Sequence, residues 1–293
     1  MSELKSKIIE ALDEAEFVLG WTATGSGAAA PARFHNAGEA EDAVFDSTCV
    51  HNLAVQLPRL KDKTVGIVAK SCDARSIVQL AAEREVDLER VKLIAVDCPG
   101  MIDVKSIRRS FGFGASIEDD GTSLRIASAE AEREEFIVAK CRGCEDRDGG
   151  AGDPGNHPLR EKFYSMSAVE RRAFWRDHYS RCIRCYACRE ACPMCFCRDV
   201  CIMQTRDPHW IGGGVNSAEA EMMQLIRVNH LAGRCSGCGE CERACPVGIP
   251  LMLLIDEQNR VIQEMFGYRA GIDPEAKPPL LSFNIKGDIW EEE

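Results

Sequence analysis

The stretch CIRCYACREACP, residues 182–193, decides the fold of the C-terminal half of this chain, and CSGCGECERACP, residues 235–246, repeats its pattern. In each stretch three cysteines follow at intervals of three residues, and a fourth stands directly before a proline. This spacing is typical of paired [4Fe-4S] clusters, in which three thiolates of one loop and the last thiolate of the other loop hold each cluster. The predicted ligands are Cys182, Cys185, Cys188 and Cys245 for the first cubane site, and Cys235, Cys238, Cys241 and Cys192 for the second.

Zinc ribbons are the alternative to this interpretation, because they also contain cysteines at C-x2-C spacing. Ribbons normally have two such pairs separated by a longer span, whereas each run here is threefold and ends in Cys-Pro. We therefore expect two [4Fe-4S] clusters. The long segment between the two motifs includes a predicted helix at 217–231, which indicates a helical, dicluster ferredoxin-like domain.

The bulk composition narrows the class of protein. The chain has 293 residues, 16 cysteines and a net charge of −11. Cysteines at metal-ligand spacing, without a secretory signal at the N-terminus, indicate a cytoplasmic protein whose thiols are kept reduced. No apolar run is long enough to predict a membrane span. The acidic balance argues against a nucleic-acid partner, so we expect protein partners.

The N-terminal half has the pattern of an α/β domain with a small parallel sheet. VGIVAK (65–70) and KLIAVD (92–97) read as buried parallel strands, joined by a helix at 73–85 that begins with Asp73 as its N-cap. Other predicted elements are helices at 1–20 and 47–60 and strands at 122–128 and 134–140.

A glycine-rich segment at 146–158 predicts a boundary between two domains. We expect an α/β domain with a third metal site at 1–150 and the dicluster domain at 158–270. The latter should include a helix that starts at a capping box of Ser167 and Glu170. Residues 271–293 are predicted to form an extended acidic tail.

Four cysteines of the N-terminal half follow predicted strands: Cys72, Cys98, Cys141 and Cys144. The carboxyl ends of parallel strands meet at one edge of a sheet, so these thiols could converge there. A third [4Fe-4S] cluster is the favoured occupant. A four-thiolate zinc site and unligated buried thiols remain open alternatives.

Four further cysteines remain after these sets are assigned: Cys49, Cys195, Cys197 and Cys201. The last three could present their thiolates toward one side, and Cys49 from the first domain could complete a fourth set. The alternative is that some of them are structural or redox-active thiols.

The stretches VGIVAKSCDARSIVQL and LIAVDCPGMID, together with both cysteine motifs, resemble a known family. They are similar to iron–sulfur subunits related to the β subunits of deazaflavin-dependent hydrogenases and formate dehydrogenases. The similarity is closest to the short type that accompanies heterodisulfide-reductase-like complexes. The resemblance implies an electron-transfer subunit whose partners are heterodisulfide-reductase-like, flavoprotein, hydrogenase or dehydrogenase subunits. Larger members bind FAD, but no G-x-G-x-x-G fingerprint follows a strand here, so FAD has no motif to support it.

Three functions compete at this point. The first is an electron relay between a flavin, NAD(P), hydrogenase or dehydrogenase partner and a heterodisulfide-reductase-like module. The second is an FAD-binding catalytic β subunit of a hydrogenase or formate dehydrogenase. The third is a zinc-stabilised scaffold. No nucleophile and base stand together in the sequence, so no catalytic residue is predicted.

Overall fold

The computed structural model describes residues 2–25, 27–142, 144, 157–197, 200–205, 209 and 211–282. Its N-terminal half contains a four-stranded sheet in the order β2-β1-β3-β4, in which β1, β3 and β4 are parallel and β2 is antiparallel to β1. The strands are β1 (Phe17–Ala23), β2 (Ala29–Phe34), β3 (Val65–Ala69) and β4 (Val91–Ala95).

The predicted parallel pair is present as β3 and β4, paired from Val65 with Val91 to Ala69 with Ala95. Every residue of β3 is buried, so both faces of the sheet are covered at its centre. The helices of this half are α1 (Ser2–Leu12), α2 (Ala37–Ala40), α3 (Ser71–Ala82), α4 (Val104–Phe111), α5 (Arg133–Phe136) and α6 (Ala139–Arg142).

A second, smaller sheet lies beside α4 and α5. It is antiparallel, in the order β5 (Ile117–Asp119), β6 (Leu124–Ile126) and β7 (Ala129–Ala131). The predicted strand at 122–128 is therefore found as β6. Leu124 and Ile126 of this strand pack with Ile107 of α4 in a separate small hydrophobic core.

Four local predictions for this half were wrong. The helix predicted at 1–20 ends at Leu12, because the aromatic and β-branched run from Phe17 pairs as an inner strand of the sheet. The helix predicted at 47–60 is only a 3₁₀ helix, Leu53–Arg59. Helix α3 begins at Ser71 after Lys70, and the Asp73 carboxylate accepts the Lys70 backbone N–H from inside the first turn.

The fourth correction concerns the strand predicted at 134–140. This segment forms two short helices, α5 and α6, and only Ile137 makes an isolated bridge, to Ile102. The Val138 N–H donates to Met101 O at 2.9 Å, so the apolar run crosses the loop after β4 instead of joining the sheet.

The C-terminal half is helical between its cysteine loops. Ser167 and Glu170 form the predicted capping box of α8, and the helix predicted at 217–231 is found as α11. The helices are α7 (Arg160–Ser165), α8 (Ala168–Ser180), α9 (Ala187–Glu190), α10 (Ile202–Thr205), α11 (Ser217–His230), α12 (Glu240–Ala244) and α13 (Leu251–Phe266).

The two halves share one hydrophobic core, which extends from Ile8 to Ile255. Polar contacts reinforce this interface: Ser76 and Ser236 hydroxyls lie 2.8 Å apart, and the Tyr268 hydroxyl donates to Gln79 Oε1 at 2.9 Å. The boundary predicted at 146–158 lies almost wholly outside the described residues, as does the tail beyond Ser282. The contact between Ser76 and Ser236 therefore ties α3 directly to the second cysteine loop.

Candidate metal centres

Both cysteine loops take the same unusual backbone path. The residues before and after the second cysteine are left-handed in each loop: Arg184 (φ 51°) and Tyr186 (φ 59°) in the first, Gly237 (φ 71°) and Gly239 (φ 66°) in the second. Alternation of right- and left-handed residues turns successive backbone N–H groups toward one side, which creates a concave anion site of the kind that holds iron–sulfur clusters. The loops therefore fit an anionic cluster through their backbone as well as their thiols.

The strained positions of the first loop are held by other elements. Arg184 Nη1 donates to the carbonyls of Gly212 and Gly214 at 2.8 and 2.6 Å, and the Tyr186 hydroxyl donates to Met203 O at 3.0 Å. Non-glycine residues in this conformation cost roughly 1–2 kcal/mol each, so they need such support. Helices α9 and α12, which follow the two loops, pack against each other.

The thiols of the first cubane site lie near one another across the two motifs. Burial raises the pKa of Cys182, and Cys188, Cys245 and Cys185 lie close enough to raise it further. Burial also raises the pKa of Cys188, with additional effects of Cys245 and Cys185. Cys245, although it belongs to the second motif, therefore lies beside the thiols of the first.

The second cubane site has the reciprocal arrangement. Burial raises the pKa of Cys235 and of Cys238 to about 12, and Cys192 from the first motif adds to both effects. Cys192 and Cys235 likewise raise the pKa of Cys241, after burial. These buried thiols stay protonated without a bound cation, whereas a metal displaces the protons and takes thiolates as ligands.

The cavity after β3 and β4 brings together all four cysteines predicted for the third site. Cys72, Cys98, Cys141 and Cys144 line it, with Lys70, Lys140 and Arg75. Cys141 lies on α6 and Cys144 follows it, so both reach the cavity from a helical segment and not from a strand end. Gly237 of the second cysteine loop lines the same cavity, which places the third site beside the second cubane site.

Two buried lysines supply positive charge to this region. Lys70 Nζ lies 2.9 Å from Asp73 Oδ2, and Lys140 Nζ lies 3.2 Å from Glu240 Oε1. Lys140 also donates to Cys238 O, and Cys72, Cys141 and Cys238 lie close enough to raise its pKa, against the effect of burial. The Lys140 ammonium group lies near thiols of both the third site and the second cubane site, so it stabilises the thiolate form in both.

The structure divides the four remaining cysteines. Cys195, Cys197 and Cys201 line a common cavity. Cys49 is fully buried in the core of the N-terminal half, where its thiol accepts the Asp46 N–H at 3.4 Å and lies near Cys98. The structure therefore does not bring Cys49 together with the other three thiols. Cys49 follows β2 and is fixed by the loop before the 3₁₀ helix, on the side of the third site.

In the part of the chain that the structure describes, no three Cys, His, Asp or Glu side chains stand at the spacing that a single metal ion requires. The candidate centres are instead defined by shared cavities and by the pKa shifts that neighbouring thiols cause in one another. Among the described helices, none is long and apolar enough to cross a membrane.

Sequence reasoning missed Arg227 and Gln224 of α11. Arg227 is fully buried, and its guanidinium nitrogens have no oxygen partner among the described residues. Instead it lies near Cys241, Cys192, Cys195 and Cys188, and Gln224 Nε2 lies 3.8 Å from Cys188 Sγ. The available signal was two polar residues on the buried face of α11, in line with Ala220 and Met223.

Replacement of Arg227 by glutamine should lower the reduction potentials of both cubane sites. With an effective dielectric constant of about 20, a buried unit charge close to a cluster contributes on the order of 2 kcal/mol, which is about 100 mV for one electron. Positive charge favours the reduced, more negative form, so its loss moves the potentials down. Redox titration followed by EPR measures the shift.

Arg176 of α8 is the matched control, because its side chain is exposed and solvent and salt screen its charge. R176Q should leave both potentials within about 10–20 mV of the wild type. Equal shifts in R176Q and R227Q would contradict a direct effect of Arg227 on the sites.

Comparison with known proteins agrees with this geometry. Residues 178–249, which include both cysteine motifs, match the model of the 4Fe-4S dicluster domain. The C-terminal half therefore contains a 4Fe-4S dicluster domain.

Two curated relatives extend the similarity into the N-terminal half. One is the F420-dependent formate dehydrogenase subunit beta of Methanocaldococcus jannaschii, 25% identical over 78% of this chain and 78% of the relative. The other is the F420-dependent formate dehydrogenase 1 subunit beta of Methanococcus maripaludis, 23% identical over 75% of this chain and 76% of the relative. The predicted resemblance to β subunits of this group is confirmed.

Proposed function

We propose that this chain is the iron–sulfur electron-transfer subunit of a formate-dehydrogenase-type complex. The observation that carries the proposal is the crossed placement of two cysteines: Cys245 lies beside two thiols of the first motif, and Cys192 lies beside the three thiols of the second loop. The names of the two relatives support the type of complex.

Two [4Fe-4S] clusters fit the two cubane sites, with ligands Cys182, Cys185, Cys188 and Cys245, and Cys235, Cys238, Cys241 and Cys192. When bound, such clusters supply one-electron carriers. The chain's own contribution is to hold them at fixed separation, to exclude water through the shared core, and to set their potentials through Arg227 and Lys140.

A third cluster is proposed at Cys72, Cys98, Cys141 and Cys144. Its support is the common cavity and the presence there of Gly237, which belongs to the loop of the second cubane site. This order of sites, from the α/β half through the second cubane site to the first, would form a continuous path for electrons. Cys185 is exposed, so the first cubane site is nearest to a docked partner.

The proposal is tested with tagged full-length chain isolated anaerobically from its native host grown with formate. We expect a formate-oxidising subunit to co-elute, and formate to bleach the visible iron–sulfur absorption of the complex within the time that dithionite needs. Co-elution of only heterodisulfide-reductase-like or hydrogenase subunits, with no bleaching by formate, would contradict the formate-dehydrogenase assignment. The heterodisulfide-reductase-like module remains a proposed second partner.

The same preparation separates the relay from its alternatives. Iron analysis should give at least about 12 irons per chain, which is the content of the two cubane sites and the third site at four irons each. Flavin released by acid would favour an FAD-binding catalytic subunit. A content of zinc in place of iron would favour the scaffold.

A further inference from the structure

The cavity beside α11 contains three cysteines that the two cubane sites and the third site do not use. Cys195, Cys197 and Cys201 line it, together with Arg189, Arg227, Arg234 and His230. Cys195 lies nearest to the second cubane site, since its thiol makes a hydrogen bond with Cys192. Three thiols at one small cavity can act together as metal ligands. Cys49, the fourth thiol predicted for this set, lies elsewhere.

Three guanidinium groups surround these thiols, and that of Arg189 pairs with Glu190. Arg189 Nη2 donates to Cys197 O at 2.7 Å, and its guanidinium also makes a hydrogen bond with the Cys201 thiol. Arg234 pairs with Glu83 and donates to Met194 O at 3.3 Å, whereas Arg227 has no carboxylate partner among the described residues. Buried guanidinium groups beside thiols favour an anionic occupant, because an unpaired buried charge is costly.

A second, larger cavity opens onto two of these thiols. It has a volume of 540 Å³ and is lined by Cys195, Cys197 and Arg189, which also line the first cavity. On its other side stand Arg33 and Arg59 of the N-terminal half. Cys197 is exposed, as Cys185 of the first cubane site is. A small anion therefore has a route to Cys195 and Cys197 along a wall that carries three arginines and one carboxylate, Glu190.

We propose that Cys195, Cys197 and Cys201 hold a further [4Fe-4S] cluster through three thiolates, with one iron open to a small anionic ligand from the arginine-lined cavity. A cubane bound by four cysteines has no free position, so this site differs in kind from the others. The inference goes beyond the proposed relay, because it adds a place where a small molecule reaches iron.

Iron content of full-length variants tests the ligand set. Relative to wild type, Cys197→Ser and Cys201→Ser should each lose about four irons per chain, the content of one cubane. Cys49→Ala is the control and should lose none. Unchanged iron in both serine variants, or an equal loss in C49A, would overturn the proposal.

A spectroscopic measurement tests the open iron without relying on a variant. Mössbauer spectra of ⁵⁷Fe-labelled wild-type protein are recorded with and without cyanide as the probe. One iron subsite should change on addition of cyanide, and the change should be absent in C197S. Identical spectra with and without cyanide would overturn the open site. Absence of iron from every preparation would instead contradict the proposed relay function as a whole.

Discussion

Replacement of Cys245 by serine should empty the first cubane site and leave the second one intact, although Cys245 belongs to the second motif. About four irons per chain should be lost, because serine oxygen is a poor substitute for a thiolate at iron. The physical reason is position: Cys245 lies beside Cys182 and Cys188, and its Sγ accepts the Ile249 N–H at 3.4 Å, which fixes its direction.

Alkylation of the native protein identifies which site is lost. In C245S, the thiols of Cys182, Cys185 and Cys188 should become reactive toward iodoacetamide, while those of Cys235, Cys238 and Cys241 stay protected. Mass spectrometry of the digested protein measures both groups.

Cys192→Ser is the matched counterpart and should give the opposite pattern. Cys192 lies beside the three thiols of the second loop, so its loss should expose Cys235, Cys238 and Cys241 only. If each serine variant instead exposes the cysteines of its own motif, the crossed arrangement is wrong and each motif holds its own cluster.

Local patterns in the sequence predicted much of this structure. Spacing of cysteines determined the two loops, because three residues per interval and a closing proline restrict the backbone path. The parallel pair β3 and β4 and the capping box at Ser167 and Glu170 were also predictable, since each depends on a short run of residues.

The wrong prediction of a strand at 134–140 depends on contacts between residues that are distant in sequence. The run 134–140 has strand composition, yet Val138 is bound to Met101 O and Lys140 reaches Glu240, which no local pattern reveals. The third site was inferred partly from that incorrect strand. Its four cysteines nevertheless line one cavity, because α6 delivers Cys141 to the same edge of the sheet. Their role as ligands stays a prediction.

Burial of polar residues was the other feature that sequence reasoning could not anticipate. Arg227 and Gln224 lie on a helix with a mixed pattern, and only the packing of α11 against α8 and α13 buries them. Cys49 illustrates the converse. Cys49 was predicted to belong to a fourth set because it was left over from the other three sets. The loop after β2 instead fixes its thiol beside Val44 and Asp46.

Lys140→Met should destabilise the interface between the two halves by about 3 kcal/mol, the lower end for breaking a buried ion pair, because Arg243 still pairs with Glu240. Lys140 is 9% exposed and Glu240 is 2% exposed, so the carboxylate would remain in a dry environment. For a chain of this size the loss corresponds to a thermal midpoint lower by roughly 5 °C. Anaerobic thermal denaturation of the iron-loaded protein measures it.

The effect should depend on pH in a defined direction. Burial alone would raise the pKa of Glu240, but the charge of Lys140, with the charge and hydrogen bond of Arg243, holds it at about 2. A lowered carboxylate pKa stabilises the fold above the ordinary value of 4.5, and this stability is lost as the pH falls toward 2. In K140M the pKa of Glu240 rises, so the difference from wild type should be largest at neutral pH and shrink as acid protonates Glu240.

Lys105 provides the control for this experiment, because its ammonium group spans the same interface but donates to the carbonyls of Arg243 and Cys245. K105M removes an ammonium donor from two uncharged carbonyls and should cost about 1.5 kcal/mol, with little dependence on pH in the acid range. The double variant K140M/E240Q should recover part of the loss of K140M, since it removes the stranded charge. Equal destabilisation by K140M and K105M at pH 7 would mean that the Lys140–Glu240 pair contributes no more than an ordinary hydrogen bond. That result would contradict the electrostatic role assigned to this pair between the third site and the second cubane site.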